Sequence, residues 1–215
     1  MKVRACIFDL DGTLLDTLQD LANSVNEALS DYGLPERSVE EVRAFVGNGV
    51  RKLMQRAVPE GTDEALYNTV FERFLTVYNR EKNHYTKPYD GILSLVADLR
   101  EAGIRCAVLS NKNDDAVAAL CADHFPHCFD FTQGLIPGVA PKPAPDALLT
   151  ICTRMGINPD EAVYIGDSEV DVATAKNAGM RLIAVTWGFR NRDTLLKAGA
   201  EELIDAPREL LTRVQ

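Results

Sequence analysis

The chain has 215 residues, of which 46% are hydrophobic, so it can bury one sizeable core and a small second unit. A formal net charge of −9 disfavours non-specific binding to nucleic acid or to an anionic membrane surface. No apolar stretch is long enough to span a bilayer and the N-terminus has no signal-peptide core, so we expect a soluble cytoplasmic protein. The five cysteines are scattered without metal-ligand spacing, which is typical of buried reduced thiols.

The first predicted strand, residues 3–10, is an apolar run that ends in two carboxylates. Asp9 and Asp11 lie two residues apart, a spacing that puts both side chains on one face if the strand continues. Two acids this close repel, so the pair indicates either an acid/base couple or a magnesium site, where a cation lets both ionise. Gly12 allows a sharp turn, and Thr13 adds a hydroxyl beside the acids. An ordinary turn at the end of a strand uses the same residue types.

The next part of the chain contains helix signals and no strand candidate. Apolar residues recur at helical spacing in four segments, 16–32, 39–45, 50–57 and 62–83. Ser38 and Glu41 form a capping-box pattern at the start of the second segment. We therefore predict that residues 16–83 form a separate helical domain.

From residue 89 the pattern changes to alternating strands and helices. The predicted strands span 105–109, 129–132, 162–165, 181–185 and 202–204. Strands separated by helices form a parallel sheet that is covered on both faces. The predicted fold class is therefore α/β: a Rossmann-like parallel sheet core from residues 1–15 and 84–215, with helices on both faces and residues 16–83 inserted. Ligands of such sheets bind at the carboxyl ends of the strands.

Two polar groups follow in the first half of this core. Ser110 and Asn111 come after the predicted strand 105–109, where a hydroxyl and an amide can donate to phosphate oxygens. Both residue types are equally favoured as helix caps. Lys142 lies between two prolines, which hold it on a stiff loop, so that its ammonium group can offset nearby carboxylates and hold a phosphoryl oxygen. An isolated lysine in this context is more often a surface residue in a turn.

A second acidic cluster follows the predicted strand 162–165. Asp167 can ligate a metal, since Mg²⁺ prefers oxygen ligands from one or two carboxylates. Asp171 comes one helical turn later and can hold the waters of a metal ion or Lys142. Acids at a helix N-terminus also have a purely structural explanation. The chain thus contains, in order, an acid pair, a pair of phosphate donors, a fixed lysine and a second acidic cluster, each at a predicted strand end or on a stiff loop. The occurrence of all four by chance is improbable.

The four groups together resemble the motifs of the haloacid dehalogenase superfamily of phosphohydrolases. The matching residues are Asp9-Leu10-Asp11-Gly12-Thr13, Ser110-Asn111, Lys142, and Gly166-Asp167 with Asp171. The resemblance extends from residue 3 to the C-terminal helix, and it identifies residues 16–83 as similar to the helical cap domain of that superfamily. Within the superfamily the chain is most similar to phosphoglycolate phosphatases, whose substrate-specificity loop resembles Phe45-Val46-Gly47-Asn48-Gly49.

The resemblance implies a role for each matching residue. Asp9 becomes the nucleophile that forms an aspartyl phosphate, and Asp11 protonates the leaving alkoxide and then deprotonates the attacking water. Mg²⁺ is held by the Asp9 carboxylate, the Asp11 backbone carbonyl and Asp167. Asp171 is expected to support these ligands without contacting the ion itself. The residues expected to surround the phosphoryl oxygens are Thr13, Ser110, Asn111 and Lys142.

The resemblance also implies a substrate and a set of partners. The cap is expected to close over the site, with hinges near 14–17 and 83–89. Backbone N–H groups of Gly47, Asn48 and Gly49, together with Arg51, are expected to bind a small anion such as the carboxylate of 2-phosphoglycolate. An ordinary helix–helix turn followed by a solvated arginine is the simpler alternative. The expected partner is a small phosphorylated metabolite, with no nucleic acid and no membrane, and the protein is expected to be a monomer or a homodimer.

Several other functions stay open at this point. A broad phosphatase of small phosphate esters, an inorganic pyrophosphatase and a phosphosugar mutase use the same chemistry. A phosphonate hydrolase needs a cap lysine that forms a Schiff base, and Lys52, the nearby candidate, has no context that indicates a desolvated amine. A non-catalytic sensor of phosphorylated ligands is the alternative from another class, but binding alone does not require a nucleophile with an acid two residues away.

Overall fold

The computed structural model describes residues 2–81 and 83–215. Contacts divide the chain into two compact units, of which the first comprises residues up to Leu15 together with Pro88–Gln215 and the second comprises Asp16–Lys87. The second unit therefore ends between Lys87 and Pro88, later in the chain than the boundary between residues 83 and 84 that the sequence predicts. The reason is local, since the backbone N–H groups of Tyr85 and Thr86 donate to the buried Asp20 carboxylate of the second unit at 2.8–3.0 Å.

The strands of the described residues fall into two sheets. In chain order they are β1 Ala5–Phe8, β2 Leu15–Asp16, β3 Lys87–Pro88, β4 Arg105–Asn113, β5 Phe131–Leu135, β6 Ala162–Gly166, β7 Arg181–Val185 and β8 Leu203–Ile204. Six strands form one sheet in the order β5-β4-β1-β6-β7-β8, and all of its neighbouring pairs are parallel. Strands β2 and β3 form a separate two-stranded sheet where the chain passes between the units. Two residues are too few to show a period of two in the sequence, which is why these strands were not predicted.

The helices follow the predicted segments closely. In chain order they are α1 Leu18–Ser30, α2 Val39–Phe45, α3 Val50–Ala57, α4 Glu64–Glu81, α5 Ile92–Glu101, α6 Asp114–His124, α7 Asp146–Met155, α8 Glu169–Ala178, α9 Arg192–Ala198 and α10 Glu209–Val214. The first four helices belong to the second unit and the others to the first. Among the residues described, no helix has both the length and the apolar character that crossing a membrane requires.

The core of the first unit lies on both faces of the large sheet. Side chains of β1 alternate between the faces, so that Cys6 and Phe8 pack in the cluster that contains α5, α6 and α10. Ala5 and Ile7 pack in a second cluster with α7 and α8. The α/β fold class predicted from the sequence is confirmed. Because both faces are covered, the strands are apolar through their length and polar side chains accumulate where the strands end.

Strand β4 differs most from its prediction. It continues past Leu109 to Asn113, and its register with β5 shifts between these two residues. A bulge of this kind leaves residues unpaired and changes the direction of their side chains. Ser110, Asn111 and Lys112 are therefore the irregular end of a strand and not a loop after it.

The second unit is built on the pairing of α1 with α4. Arg73 of α4 contacts Glu27 at 2.8 Å and also pairs with Asp31 beside the C-terminus of α1, while Arg80 contacts Glu27 at 2.9 Å. The capping box predicted at the start of α2 is present, because Ser38 accepts from the Glu41 backbone N–H while the Glu41 carboxylate accepts from Ser38 N–H.

Candidate active site

The turn after β1 fixes Asp9 at the edge of the sheet. The carbonyl of Leu10 accepts hydrogen bonds from the backbone N–H groups of Thr13, Leu14 and Leu15 at 3.0–3.3 Å, so the chain reverses immediately after the strand. The backbone N–H of Leu10 donates to Asp9 Oδ1 at 2.7 Å. Asp9 is buried, and this hydrogen bond sets the orientation of its carboxylate.

Asp167, at the end of β6, lies directly against this turn. Gly12 has φ +84°, and a Cβ at this position would lie 2.7 Å from Asp167 Cγ and closer still to Oδ2. Only glycine therefore satisfies both the backbone conformation and the contact. Thr13 Oγ1 donates to Asp167 Oδ1 at 3.1 Å, and the backbone N–H of Phe189 donates to Oδ2 at 2.7 Å. Each oxygen of Asp167 thus accepts one hydrogen bond from the described part of the chain.

Lys142 bridges Asp9, at the end of β1, and Asp171, in the first turn of α8. Its ammonium nitrogen lies 2.8 Å from Asp9 Oδ1, 2.8 Å from Asp171 Oδ1 and 3.0 Å from the hydroxyl of Tyr164. Its backbone is held as well, because Lys142 N–H donates to Asn111 Oδ1 at 2.8 Å and Asn111 Nδ2 donates to the Lys142 carbonyl at 3.0 Å. The sequence predicts contact of Asn111 with phosphoryl oxygens; the structure shows its carboxamide fixing the lysine loop.

Asp171 is the most completely enclosed carboxylate of the group. Ser168 begins α8 and donates to Asp171 Oδ2 from its hydroxyl at 2.6 Å and from its backbone N–H at 3.1 Å. Tyr164 donates to Oδ1 at 2.9 Å, in addition to the Lys142 contact. Gly166 gives Asp171 its room, since a Cβ there would lie 2.7 Å from Asp171 Oδ2. Each Asp171 oxygen therefore accepts two hydrogen bonds.

Asp11 has a different partner. Its carboxylate lies 2.9 Å from the ammonium nitrogen of Lys112, and the two side chains are 15% and 3% exposed. The two acids of the first motif are therefore each paired with a lysine of their own, Asp9 with Lys142 and Asp11 with Lys112.

Burial and mutual repulsion change the acidity of the enclosed carboxyl groups. Burial raises the pKa of Asp9 well above its usual range, and the neighbouring Asp171 adds to this while Lys142 opposes it. Burial, with Asp171 again adding, raises the pKa of Asp167 to about 7. The pKa of Asp171 is lowered despite its burial, because Lys142 and the hydrogen bonds from Ser168 and Tyr164 favour its charged form.

These groups fit a divalent cation. Asp9, Asp167 and Asp171 each offer a carboxylate oxygen within 4.8 Å of the others. Together with the single charge of Lys142 they leave a formal charge of two negative, which is the charge that one divalent cation balances. All the donors are hard oxygen atoms, as Mg²⁺ requires. The cluster can therefore hold a divalent metal ion.

The family model described as Haloacid dehalogenase-like hydrolase matches residues 6–185. The chain belongs to the haloacid dehalogenase-like hydrolase family. It is therefore an enzyme of the class that the sequence motifs resemble.

Individual relatives of this haloacid dehalogenase-like hydrolase are phosphatases by name. Phosphoglycolate phosphatase 1 of Pseudomonas aeruginosa is 33% identical over 214 residues, which is 97% of this chain and 78% of that protein. The N-acetylmuramic acid 6-phosphate phosphatase of the same species is 29% identical over 226 residues, with 98% and 94% of the two chains covered. A crystal structure from Lactobacillus delbrueckii, provisionally named phosphoglycolate phosphatase, has a TM-score of 0.95 at 37% identity and covers 100% of this chain and 99% of that one.

The loop after β7 is part of the site in this haloacid dehalogenase-like hydrolase, and residues 186–189 were assigned no role from the sequence. Trp187 Nε1 donates to the Thr13 carbonyl at 3.0 Å, and Gly188 packs against both Gly12 O and Asp167. The position of this loop in the sequence does indicate a role in the site, because residues 186–190 follow a predicted strand and so lie at the same carboxyl edge of the sheet as the other motifs.

Two further side chains were missed for different reasons. Tyr164 lies two residues before Gly166 in β6, so it shares a face with the strand end, and its hydroxyl is the one polar group in an otherwise apolar strand. Lys112 follows directly on Ser110 and Asn111, but a strand was expected to end at 109. The bulge that brings Lys112 to Asp11 leaves no mark in the hydrophobic pattern.

The residues predicted for substrate recognition lie in the helical unit. Gly47, Asn48 and Gly49 join α2 to α3, and both glycines have positive φ, +124° and +82°. Asn48 Oδ1 accepts a hydrogen bond from Arg56 at 2.9 Å. The guanidinium of Arg51 lies 4.4 Å from the centre of the Phe71 ring, a cation–π contact. The role of these residues in substrate binding stays a prediction.

Proposed function

We propose that this chain is a Mg²⁺-dependent phosphomonoester hydrolase that takes the phosphoryl group of its substrate onto Asp9 and then passes it to water. The observation that carries the proposal is the buried Asp9 carboxylate at the end of β1, held 2.8 Å from the Lys142 ammonium and beside Asp167 and Asp171. The names of the relatives support phosphate-ester hydrolysis as the reaction.

Asp9 is prepared for attack on phosphorus. Hydrogen bonds from Leu10 N–H and Lys142 to Oδ1 fix the carboxylate, so that little freedom is lost when a bond to phosphorus forms. As the Asp9 oxygen bonds to phosphorus, the bond from phosphorus to the leaving oxygen breaks. Lys142 favours the ionised form of Asp9 throughout, which opposes the effect of burial.

The hydrogen-bond count separates the metal ligands from their supports. A carboxylate oxygen has room for about two hydrogen bonds or ligands. Both Asp171 oxygens are filled, whereas each Asp167 oxygen accepts a single hydrogen bond from the residues described. We therefore assign Mg²⁺ binding to the carboxylates of Asp9 and Asp167, with Asp171 holding Lys142. The backbone carbonyl of Asp11 is the further ligand that the family resemblance implies. When bound, Mg²⁺ neutralises charge on the phosphoryl oxygens and orients the group.

Asp11 supplies the proton transfers. As a carboxylic acid it gives its proton to the leaving alkoxide oxygen, and it is then a carboxylate. It next takes a proton from the water that attacks phosphorus, which releases inorganic phosphate and restores Asp9. Ser110, at the bulged end of β4, is proposed to contact the phosphoryl oxygens. The Thr13 hydroxyl donates to Asp167, so its proposed contact with a phosphoryl oxygen requires it to exchange that partner.

The proposed substrate is 2-phosphoglycolate. The support is the name of the Pseudomonas aeruginosa relative, together with the prediction that the 47–49 loop and Arg51 bind a small carboxylate. A sugar 6-phosphate is the second candidate, because a relative of comparable coverage is named for N-acetylmuramic acid 6-phosphate.

A panel of substrates tests this proposal. The values of kcat/KM for 2-phosphoglycolate, sugar phosphates, N-acetylmuramic acid 6-phosphate, nucleotides and pyrophosphate are measured with Mg²⁺. We expect 2-phosphoglycolate to be preferred, Asp9→Asn to remove turnover of every ester, and Asp160→Asn, the same change at a site outside the cluster, to leave turnover unchanged. A preference for sugar phosphates would contradict the assignment of 2-phosphoglycolate as the substrate. Turnover by Asp9→Asn would contradict the transfer of the phosphoryl group to Asp9.

A further inference from the structure

Lys112 is a buried charged residue that the proposed reaction does not yet use. Its ammonium nitrogen lies 2.9 Å from Asp11 Oδ1, and its side chain is only 3% exposed. Lysines are rarely buried to this extent unless they are paired, because burial removes the hydration of the ammonium group. The partner in this case is the residue assigned to both proton transfers.

The backbone at Lys112 is fixed from two sides. The Lys112 backbone N–H donates to Ser110 Oγ at 3.2 Å. Gly134 of β5 lies so close that a Cβ there would be 2.5 Å from the Lys112 carbonyl oxygen, and its N–H donates to Asp114 at 2.7 Å. The bulged end of β4 is thus held against its neighbour strand, so Lys112 is presented to Asp11 from a rigid element.

We propose that Lys112 is a positioning residue that holds the Asp11 carboxyl group where it meets the leaving oxygen. This inference rests on the proposed function. Asp11 transfers its proton to the leaving oxygen as the bond to phosphorus breaks, and the carboxylate that results stays beside the Lys112 ammonium. The same carboxylate then receives a proton from the attacking water, and Lys112 keeps its charge throughout.

A positioning role differs from a structural ion pair in its dependence on the leaving group. An alkyl phosphate such as 2-phosphoglycolate releases a strongly basic alkoxide, which needs a proton. By contrast, p-nitrophenyl phosphate releases a stable phenolate, which does not. Removing the support of a general acid therefore slows the first substrate more than the second, whereas a general loss of site structure slows both.

The test uses Lys112→Met, which keeps an unbranched side chain without its charge, and Lys112→Arg, which keeps a charge. For each variant kcat/KM is measured on 2-phosphoglycolate and on p-nitrophenyl phosphate with saturating Mg²⁺. We expect Lys112→Met to lower the ratio of the two values by about tenfold or more, and Lys112→Arg to restore part of it. Lys197→Met, at an exposed position of α9, should leave the ratio unchanged.

A double-mutant cycle makes the test specific to Asp11. If Lys112 acts through Asp11, Lys112→Met should not lower the ratio further in an Asp11→Asn background. An equal loss on both substrates, or a further fall of the ratio in that background, overturns the inference. If the wild-type enzyme prefers another alkyl phosphate, that ester replaces 2-phosphoglycolate and the inference is still tested. Failure of the wild-type enzyme to hydrolyse any phosphate ester contradicts the proposed function instead.

Discussion

Substituting Gly188 with alanine puts a methyl group where the structure has no space. The new Cβ would lie 2.6 Å from Asp167 Cγ and closer to Gly12 O. Real Cβ contacts begin at 3.0 Å and are ordinary from 3.4 Å, so relieving the Cγ contact alone requires a movement of about 0.4–0.8 Å, and the closer contacts with Gly12 O and Asp167 Cβ require more. A movement of at least that size away from Asp167 stretches the 2.7 Å hydrogen bond from Phe189 N–H to about 3.1–3.5 Å or longer, at or beyond the usual limit.

The expected consequences are both a loss of stability and weaker metal binding. Overpacking and a weakened hydrogen bond to a buried carboxylate together cost about 2–5 kcal/mol. For a protein of this size that lowers Tm by roughly 5–15 °C. Because the Phe189 hydrogen bond orients Asp167, we expect the Kd for Mg²⁺, measured by calorimetry, to rise about tenfold or more.

Gly179→Ala is the matched control. Gly179 ends α8 with φ +62°, and a Cβ added there would meet no atom within 4 Å, so alanine adds backbone strain without a clash. We expect a loss of about 1 kcal/mol of stability and an unchanged Kd for Mg²⁺. Wild-type Mg²⁺ affinity in Gly188→Ala, or equal weakening in both variants, would refute the reasoning.

Three further changes probe other parts of the structure. Lys142→Met leaves the buried carboxylates of Asp9 and Asp171 without their cation. It should lower the free energy of unfolding, measured by chemical denaturation, by about 3–5 kcal/mol. Adding Asp171→Asn should recover part of that loss. Asp20→Asn replaces one of the two carboxylate oxygens that accept from Tyr85 and Thr86 with an NH₂ donor, and it should cost about 1–3 kcal/mol, measured as a lower Tm. Iodoacetamide should label the half-buried Cys128 first in the native protein. Burial makes the other four thiols inaccessible and raises their pKa, which lowers the fraction present as thiolate. These thiols are Cys6, Cys106, Cys121 and Cys152.

Each of these expectations has a result that contradicts it. Unchanged stability of Lys142→Met, or a double variant less stable than the single one, contradicts the buried charge network. Asp98→Asn is the exposed control for Asp20→Asn, and equal Tm values for the two contradict the importance of the Asp20 hydrogen bonds. Labelling of a buried thiol before Cys128 contradicts the packing described for the core.

The predicted parts of the fold and site are those that a local pattern specifies. The boundaries of α3 and the capping box at Ser38 follow from helical spacing and side-chain chemistry, which act within a few residues. The placement of Asp9 and Asp167 at one edge follows from a rule about parallel strands.

The parts that were missed depend on contacts between distant segments. The Asp11–Lys112 pair requires a bulge whose position only the neighbouring strand determines. The hydrogen bonds of Asn111 to Lys142 join residues 31 positions apart, and those of Asp20 to Tyr85 and Thr86 join residues 65 and 66 apart. No periodicity carries such information, and the residue types alone are equally consistent with caps and turns.

The most direct test of the mechanism is detection of a phosphoryl group on the enzyme. The protein is mixed with Mg²⁺ and substrate, quenched in acid within the first turnover, digested and mapped by mass spectrometry. We expect one phosphoryl group on the peptide that contains Asp9, removed by hydroxylamine and missing from Asp9→Asn. Rapid turnover with no phosphorylated Asp9, or with the label on a different residue, would contradict the account.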